Sequence, residues 1–197
     1  MSETAIPTRP SSGISRFIHD LRYRRDRHRQ FVGISFIALV TFVARPLESL
    51  FLPGAVVVVV GMLIRLWASG HVKKDKQLAT TGPYAFVRHP LYVGNHLIAV
   101  GFCLASSLWW SVPLWLLITA LYYPPAIRGE DTKLERLFGD DWREWRAKTH
   151  AQLPSLRPYG GFKLGSWSFR QSLVQNGEPI YIVVFCLALY YIHRLLG

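Results

Sequence analysis

The sequence predicts an all-α protein: a transmembrane bundle of about five spans, carrying two polar loops on the cytoplasmic side and an amphipathic helix at the interface. Three observations lead there. Half of the 197 residues are hydrophobic, yet the formal net charge is +11, a pairing natural to a membrane protein whose basic flanks meet anionic headgroups. The apolar residues are gathered into long runs. The basic residues lie between those runs and nearly all fall on one side of the chain they imply.

Residues 1 to 12 hold Pro7, Pro10 and several Ser and Thr, the composition of a disordered tail. From Gly13 to Gln30, Ile14, Phe17, Ile18 and Leu21 recur at helical spacing among arginines, as in a helix lying on the membrane surface; a solvated charged tail is the other reading. Phe31 to Ala44 is the first apolar run, and Leu50 to Ile64, extended by Leu66, Trp67 and Ala68, is the second. Each is near the lower limit of the roughly 20 residues a span needs, so they read as a hairpin turning around Arg45 to Ser49. Arg65 then sits at the inner end of the second helix, placed to snorkel to the headgroups.

Leu91 to Ile127 is 37 residues without Asp, Glu, Lys or Arg, too long for one crossing. It divides into two spans turning near Ser111, Val112 and Pro113, with Trp109 and Trp110 as interfacial aromatics; Pro124 and Pro125 should kink or stop the second. In the polar region Arg128 to Glu178, Leu134, Leu137, Phe138, Trp142 and Trp145 form one apolar helix face. Ile180 to Ile192 is the fifth candidate span, with an interfacial helix as the alternative.

Charge sets the topology. Of the 23 Lys and Arg, 21 lie in the amino-terminal tail, in Arg65 to Arg88 or in Arg128 to Arg170, leaving Arg45 and Arg194 for the far side. The positive-inside bias places the amino terminus and both large polar loops in the cytoplasm. The arginines before the first apolar run fit an uncleaved signal anchor. A nucleic-acid partner is not expected despite a pI near 10.1, because the cations form no aromatic-interleaved face. Cys103 and Cys186 lie in apolar runs and form no CxxC pair, so neither a disulfide nor a metal site is expected.

Topology thus sets two polar segments on one face. The first runs Leu78, Ala79, Thr80, Thr81, Gly82, Pro83, Tyr84, Ala85, Phe86, Val87, Arg88, His89, Pro90, Leu91, Tyr92, Val93, Gly94, Asn95. Gly82-Pro83 is a turn signal, and Pro90 suits the first turn of a helix, whose free N–H groups and dipole favour an anion. Taken alone, a turn and a capped helix with interfacial aromatics account for it. The second holds Arg128, Glu130, Asp131, Leu134, Phe138-Gly139, Trp142, Trp145 and Leu153-Pro154. Its carboxylates suit a cation or ribose hydroxyls, or equally a solvated first helical turn.

Together the two segments resemble the isoprenylcysteine carboxyl methyltransferase and phospholipid methyltransferase superfamily, whose members bind S-adenosylmethionine (SAM) at the membrane. The first segment matches its Thr-Thr-Gly-Pro-Tyr and Arg-His-Pro-x-Tyr-x-Gly pattern, and the second its acidic pair followed by Leu, Phe-Gly and two aromatics. The resemblance covers about residues 61 to 158, including the lead-in Arg65, Trp67, Ala68, Gly70 and His71. It departs at Asp131, where the pattern has Glu, at Trp142 and Trp145, where it has Tyr, and at Leu153, where it has Val; the shorter Asp131 puts one hydrogen bond in doubt.

The resemblance implies a SAM site in which Lys76, Gln77, Leu78, Ala79 and Tyr84 line the cofactor, His89, Pro90, Leu91 and Tyr92 hold it at the helix start, and Glu130 anchors it from the opposite segment. Arg128 and Arg88 would orient an anionic acceptor. No side chain is assigned as a catalytic base, and His96 is read as a structural residue. The expected reaction is methyl transfer to a lipid-like or prenylated small substrate at the cytoplasmic face of a bacterial inner membrane rather than the endoplasmic reticulum, by carboxyl O-methylation of an isoprenoid-type acceptor. Phosphatidylethanolamine N-methylation and a non-catalytic membrane scaffold are the alternatives. The expected organisation is a basic tail and surface segment (1–30), a methyltransferase core (31–158) and an extension bearing the fifth span (159–197).

Overall fold

The computed structural model describes residues 25–72, 77–161, 163–175 and 177–196. The tail and nearly all of the expected surface segment lie outside the described residues. Among the described residues five α-helices make up the fold: α1 (Arg25–Phe42), α2 (Glu48–Ser69), α3 (Pro90–Ser106), α4 (Ser111–Lys148) and α5 (Glu178–Arg194). Among the described residues there is no strand, only an isolated bridge between Val87 and His150.

The tightest packing is between antiparallel α2 and α3, and small residues make it possible. A Cβ on Gly54 would stand 2.6 Å from the Gly101 carbonyl oxygen, and one on Gly61 would stand 2.8 Å from that of Gly94. Two glycines seven residues apart on each helix therefore form a seam where backbones touch, the kind of contact that joins helices in the absence of a hydrophobic drive. Around it Phe36, Val40, Val58, Ile98, Phe102, Trp115, Phe185 and Ile192 close one core contributed by all five helices.

The helices alternate in direction, which sorts their connections into two ends. At one end are the short turns: the Arg45 N–H donates to the Ser106 carbonyl (3.0 Å) and the Leu47 N–H to the Ser107 hydroxyl (3.0 Å). At the other, residues 77–89 and 149–161 meet, joined by 70–72 and 163–172. Large apolar side chains face outward on all five helices, among them Leu39 on α1, Leu52 and Leu63 on α2, Val100 on α3, Leu116 and Leu121 on α4 and Leu187 on α5. By length and composition α2 is able to cross a membrane; Gln30–Phe42 and α3 are shorter apolar helices.

Three expectations need correction. Pro124 and Pro125 do not stop the helix: α4 runs 38 residues and joins the apolar segment to the amphipathic one, its non-helical residue being Gly139 (φ 51°, ψ −120°). The turn before it falls at Ser107–Trp110, ahead of Ser111, because Ser107 takes the left-handed cap of α3. Leu137 does not join the apolar face of α4 and is half-exposed; Leu134 and Phe138 pack on the fully buried Trp142 and Trp145 instead.

Candidate active site

The two polar segments are laced together by backbone. The Arg88 N–H donates to the His150 carbonyl (2.9 Å), His89 N–H to Ala151 (3.0 Å), Ser155 N–H to Phe86 (2.8 Å) and Tyr159 N–H to Ala85 (2.8 Å). The Trp145 indole N–H adds a bond to the Tyr84 carbonyl (3.0 Å), which satisfies that ring's one donor in its buried setting. Gly82, at φ +58°, lies against the His71 ring and has no room for a side chain.

Between them lies a cavity of about 470 Å³, within the roughly 300–1,000 Å³ of small-molecule sites. Of the expected cofactor residues, Gln77, Leu78, Ala79, Tyr84, His89, Leu91, Tyr92 and Glu130 all line it. Pro90 is buried at the first position of α3 and is not part of the lining. Lys76 lies outside the described residues. Arg88 lines the cavity, whereas Arg128 is exposed and does not.

His89 organises the polar wall. Its Nδ1 is 3.0 Å from Glu130 Oε2 and its Nε2 is 3.3 Å from Asp131 Oδ1. Tyr92, stacked on the imidazole, donates its hydroxyl to Glu130 Oε1 at 2.6 Å. Burial works against a charged ring, but the hydrogen bonds to Asp131 and Glu130 outweigh it and raise the His89 pKa. Asp131 responds oppositely: burial resists its charge, and the His89 hydrogen bond and the Arg88 charge still carry its pKa down. Asp131, despite its shorter arm, therefore reaches both His89 and Arg88. The Arg88 guanidinium is held by Asp131 (3.3 Å) and by the Thr149 carbonyl (2.6 Å), so it braces one loop against the other. Burial lowers the Arg88 pKa, opposed by Asp131.

A second network was not foreseen. Arg65 does not snorkel: its side chain is 14% exposed and that of Glu178 4%. The Nη2 and Nε of Arg65 donate to the Glu178 carboxylate at 2.8 and 3.2 Å, and Nη1 donates to Asn95 Oδ1. A cation facing the inside of a bundle needs such partners. Glu178, Tyr181 and Phe185 bring α5, from the segment read as an extension, into the cavity wall. The one signal in the sequence is an acid placed at the mouth of an apolar run. His96, also in the lining helix, meets the Gln152 amide at 3.0 Å and packs on the Tyr123 ring at 4.3 Å, a hydrogen-bonded and stacked setting.

The cavity has a polar half, with Glu130, His89 and the Leu78–Ala79 backbone, and an apolar half built by Ile34, Ile37, Ile98, Trp115 and Phe185. Among the described residues no group of three or more His, Cys, Asp or Glu is arranged to hold a metal.

Comparison with known proteins bears on the family. The pattern of the family described as phospholipid methyltransferase matches residues 49–141. The chain is 32% identical to the nickel-cobalt-cadmium resistance protein NccN of Alcaligenes xylosoxydans xylosoxydans over 79% of this chain and 77% of that one. It is 31% identical to the cobalt-zinc-cadmium resistance protein CzcN of Cupriavidus metallidurans over 89% and 84%. A shorter stretch, 42% of this chain and 35% of the other, is 34% identical to the protein-S-isoprenylcysteine O-methyltransferase of Schizosaccharomyces pombe. No solved structure matches. Motif, helical architecture and relatives agree that this chain belongs to the isoprenylcysteine carboxyl methyltransferase and phospholipid methyltransferase superfamily.

Proposed function

We propose that the protein is a five-span membrane methyltransferase that uses SAM to methylate a lipid-like acceptor at the cytoplasmic face, by carboxyl O-methylation of an isoprenoid-type substrate. The observation that carries this reading is one cavity shared by Gln77–Ala79, His89, Leu91, Tyr92 and Glu130. The apolar side chains turned outward on the helices support membrane embedding, since a water-soluble surface rarely shows such large apolar patches.

The residues suit the cofactor. Glu130, fixed by Tyr92 and His89, can accept from ribose hydroxyls or an ammonium. The first turn of α3 offers the Leu91 N–H, which has no acceptor within the helix, to a carboxylate. Tyr84 and Tyr92, both in the cavity lining, are the aromatic groups suited to a sulfonium. When bound, SAM supplies an electrophilic methyl group. The chain contributes position and dryness: the apolar half holds the acceptor's hydrocarbon, and the walls exclude water from the reacting atoms. A carboxylate acceptor has no proton to lose, so no base is required. Arg88 at the rim and Arg128, exposed two residues before Glu130, would steer its negative charge inward.

Membranes containing the protein, supplied with methyl-labelled SAM, test the reading. Base-labile label on an isoprenoid-type lipid is the expected product. A base-stable labelled headgroup would replace O-methylation by N-methylation, and no label across broad lipid extracts would leave a scaffold.

A further inference from the structure

Residues 149–161 and 163–170 form an irregular strap whose backbone is bonded to the bundle and whose leucines and Phe169 face out, while Tyr159 packs on the core and the Trp167 indole donates to the Leu66 carbonyl (3.3 Å). Its polar groups are committed to the bundle: besides the bonds to Ala85, Phe86, Arg88 and His89, the Lys163 carbonyl accepts from the Gly82 N–H (2.9 Å) and the Ser168 N–H donates to the Gly70 carbonyl (2.9 Å). The Leu164 carbonyl is 2.7 Å from His71 Nε2. The strap is thus pinned along its length, yet Leu156 is 100% exposed, Leu153 74%, Leu164 68% and Phe169 66%. Those values match the outward faces of the helices, such as Leu52 at 67%. An ordered segment with its apolar side chains turned out has a partner surface.

Charge identifies that surface. From Trp145 to Gly177 the chain carries five Lys or Arg and no Asp or Glu. Arg157, Lys163 and Arg170 alternate with Leu156, Leu164, Trp167 and Phe169, and none of the three pairs with a carboxylate among the described residues. Apolar and aromatic groups interleaved with unpaired cations suit the boundary between acyl chains and anionic headgroups. The strap also lies at the end of the bundle where α2 finishes and α3 and α5 begin, the level at which headgroups would stand.

We propose that residues 153–170 are an interfacial anchor, with Leu153, Leu156, Leu164 and Phe169 inserted at the acyl boundary and Arg157, Lys163 and Arg170 on the phosphates of anionic lipids. This rests on the membrane reading above and on nothing about the acceptor. Because the strap is bonded to residues 82–89, its lipid contact also fixes the loop that walls the cavity.

The full chain, with Cys186→Ala to limit labelling, would carry an environment-sensitive fluorophore at Leu156→Cys or, as a control, at Leu63→Cys on the outer face of α2. Both are reconstituted in phosphatidylcholine bilayers with and without phosphatidylglycerol, using lipids brominated near the headgroup end of the acyl chain. The label at 156 should be quenched, and more strongly with phosphatidylglycerol. An anionic surface favours each nearby cation by roughly fivefold, so three give about a hundredfold in local headgroup preference. Replacing Arg157, Lys163 and Arg170 with Gln should remove the lipid dependence. Quenching at 63 but not at 156 would overturn the proposal, and protection of 156 from aqueous iodide without lipid quenching would assign the strap to a protein partner. Equal quenching in both lipids would overturn the anionic preference. Loss of quenching at both positions would overturn membrane embedding itself.

Discussion

Two charged networks line the same cavity, and they are built on opposite plans. His89, Glu130, Asp131 and Arg88 sit where α3 begins and α4 leaves the apolar core; each carboxylate there has more than one partner, and Glu130 is still partly open. Arg65, Asn95 and Glu178 are closed in on themselves, with the carboxylate spent wholly on one guanidinium. The first network leaves the Glu130 side chain 39% exposed beside the cavity. The second spends its charge tying α5 to α2 and α3. Proximity to a cavity therefore does not by itself mark a binding group; a carboxylate still open to it is the better candidate.

Arg65→Ala should break that contrast most sharply. It leaves Glu178 buried and alone, an effect of about 3–5 kcal/mol, read as a lower unfolding temperature in detergent. Arg65→Met with Glu178→Leu should recover most of the loss, because no charge is then stranded. Glu130→Ala is expected to act mainly on binding: SAM binding falls by about 10- to 100-fold, the worth of hydrogen bonds to a charged group, while the unfolding temperature falls less than in Arg65→Ala, because the loss there is of an acceptor for the Tyr92 hydroxyl and His89. Wild-type affinity in that variant would remove Glu130 from the site.

A pH series sharpens the comparison further. The raised His89 pKa gives stability that is complete below the ordinary imidazole value of 6.5 and disappears as pH climbs through the folded value. The depressed Asp131 pKa gives stability present above its ordinary 3.8 and lost as pH falls through the folded value. The advantage of wild type over His89→Gln in thermal unfolding should therefore be greatest in mildly acidic buffer and shrink on the alkaline side. The smallest effect belongs to Arg128→Gln. An exposed charge is worth up to about 1 kcal/mol, so KM for an acidic acceptor should rise a few-fold with SAM binding unchanged.

The polar wall was legible because its parts are short-range. Tyr84, His89 and Tyr92 fall within nine residues, and one turn plus one helix start fixes their relation. Glu130 came from the resemblance, whose pattern sets an acidic pair ahead of Leu134, Phe138-Gly139 and the two tryptophans. The Arg65–Glu178 pair was not legible, since 113 residues separate its members and each alone resembles an ordinary helix end. Gln152 against His96 is hidden in the same way. The phase of α4 was misread at Leu137, and its continuity was missed because two prolines suggested a stop that the surrounding helix overrides.

That continuity has a consequence. Trp115 in the greasy half and Glu130 in the polar half stand on one rod, 15 residues apart, or about 22 Å of helix at 1.5 Å per residue. Under the proposed function, the acceptor's hydrocarbon beside Trp115 and the cofactor beside Glu130 are gauged along that one helix, so acceptors of different chain length would bring their reacting ends to different heights beside the cofactor.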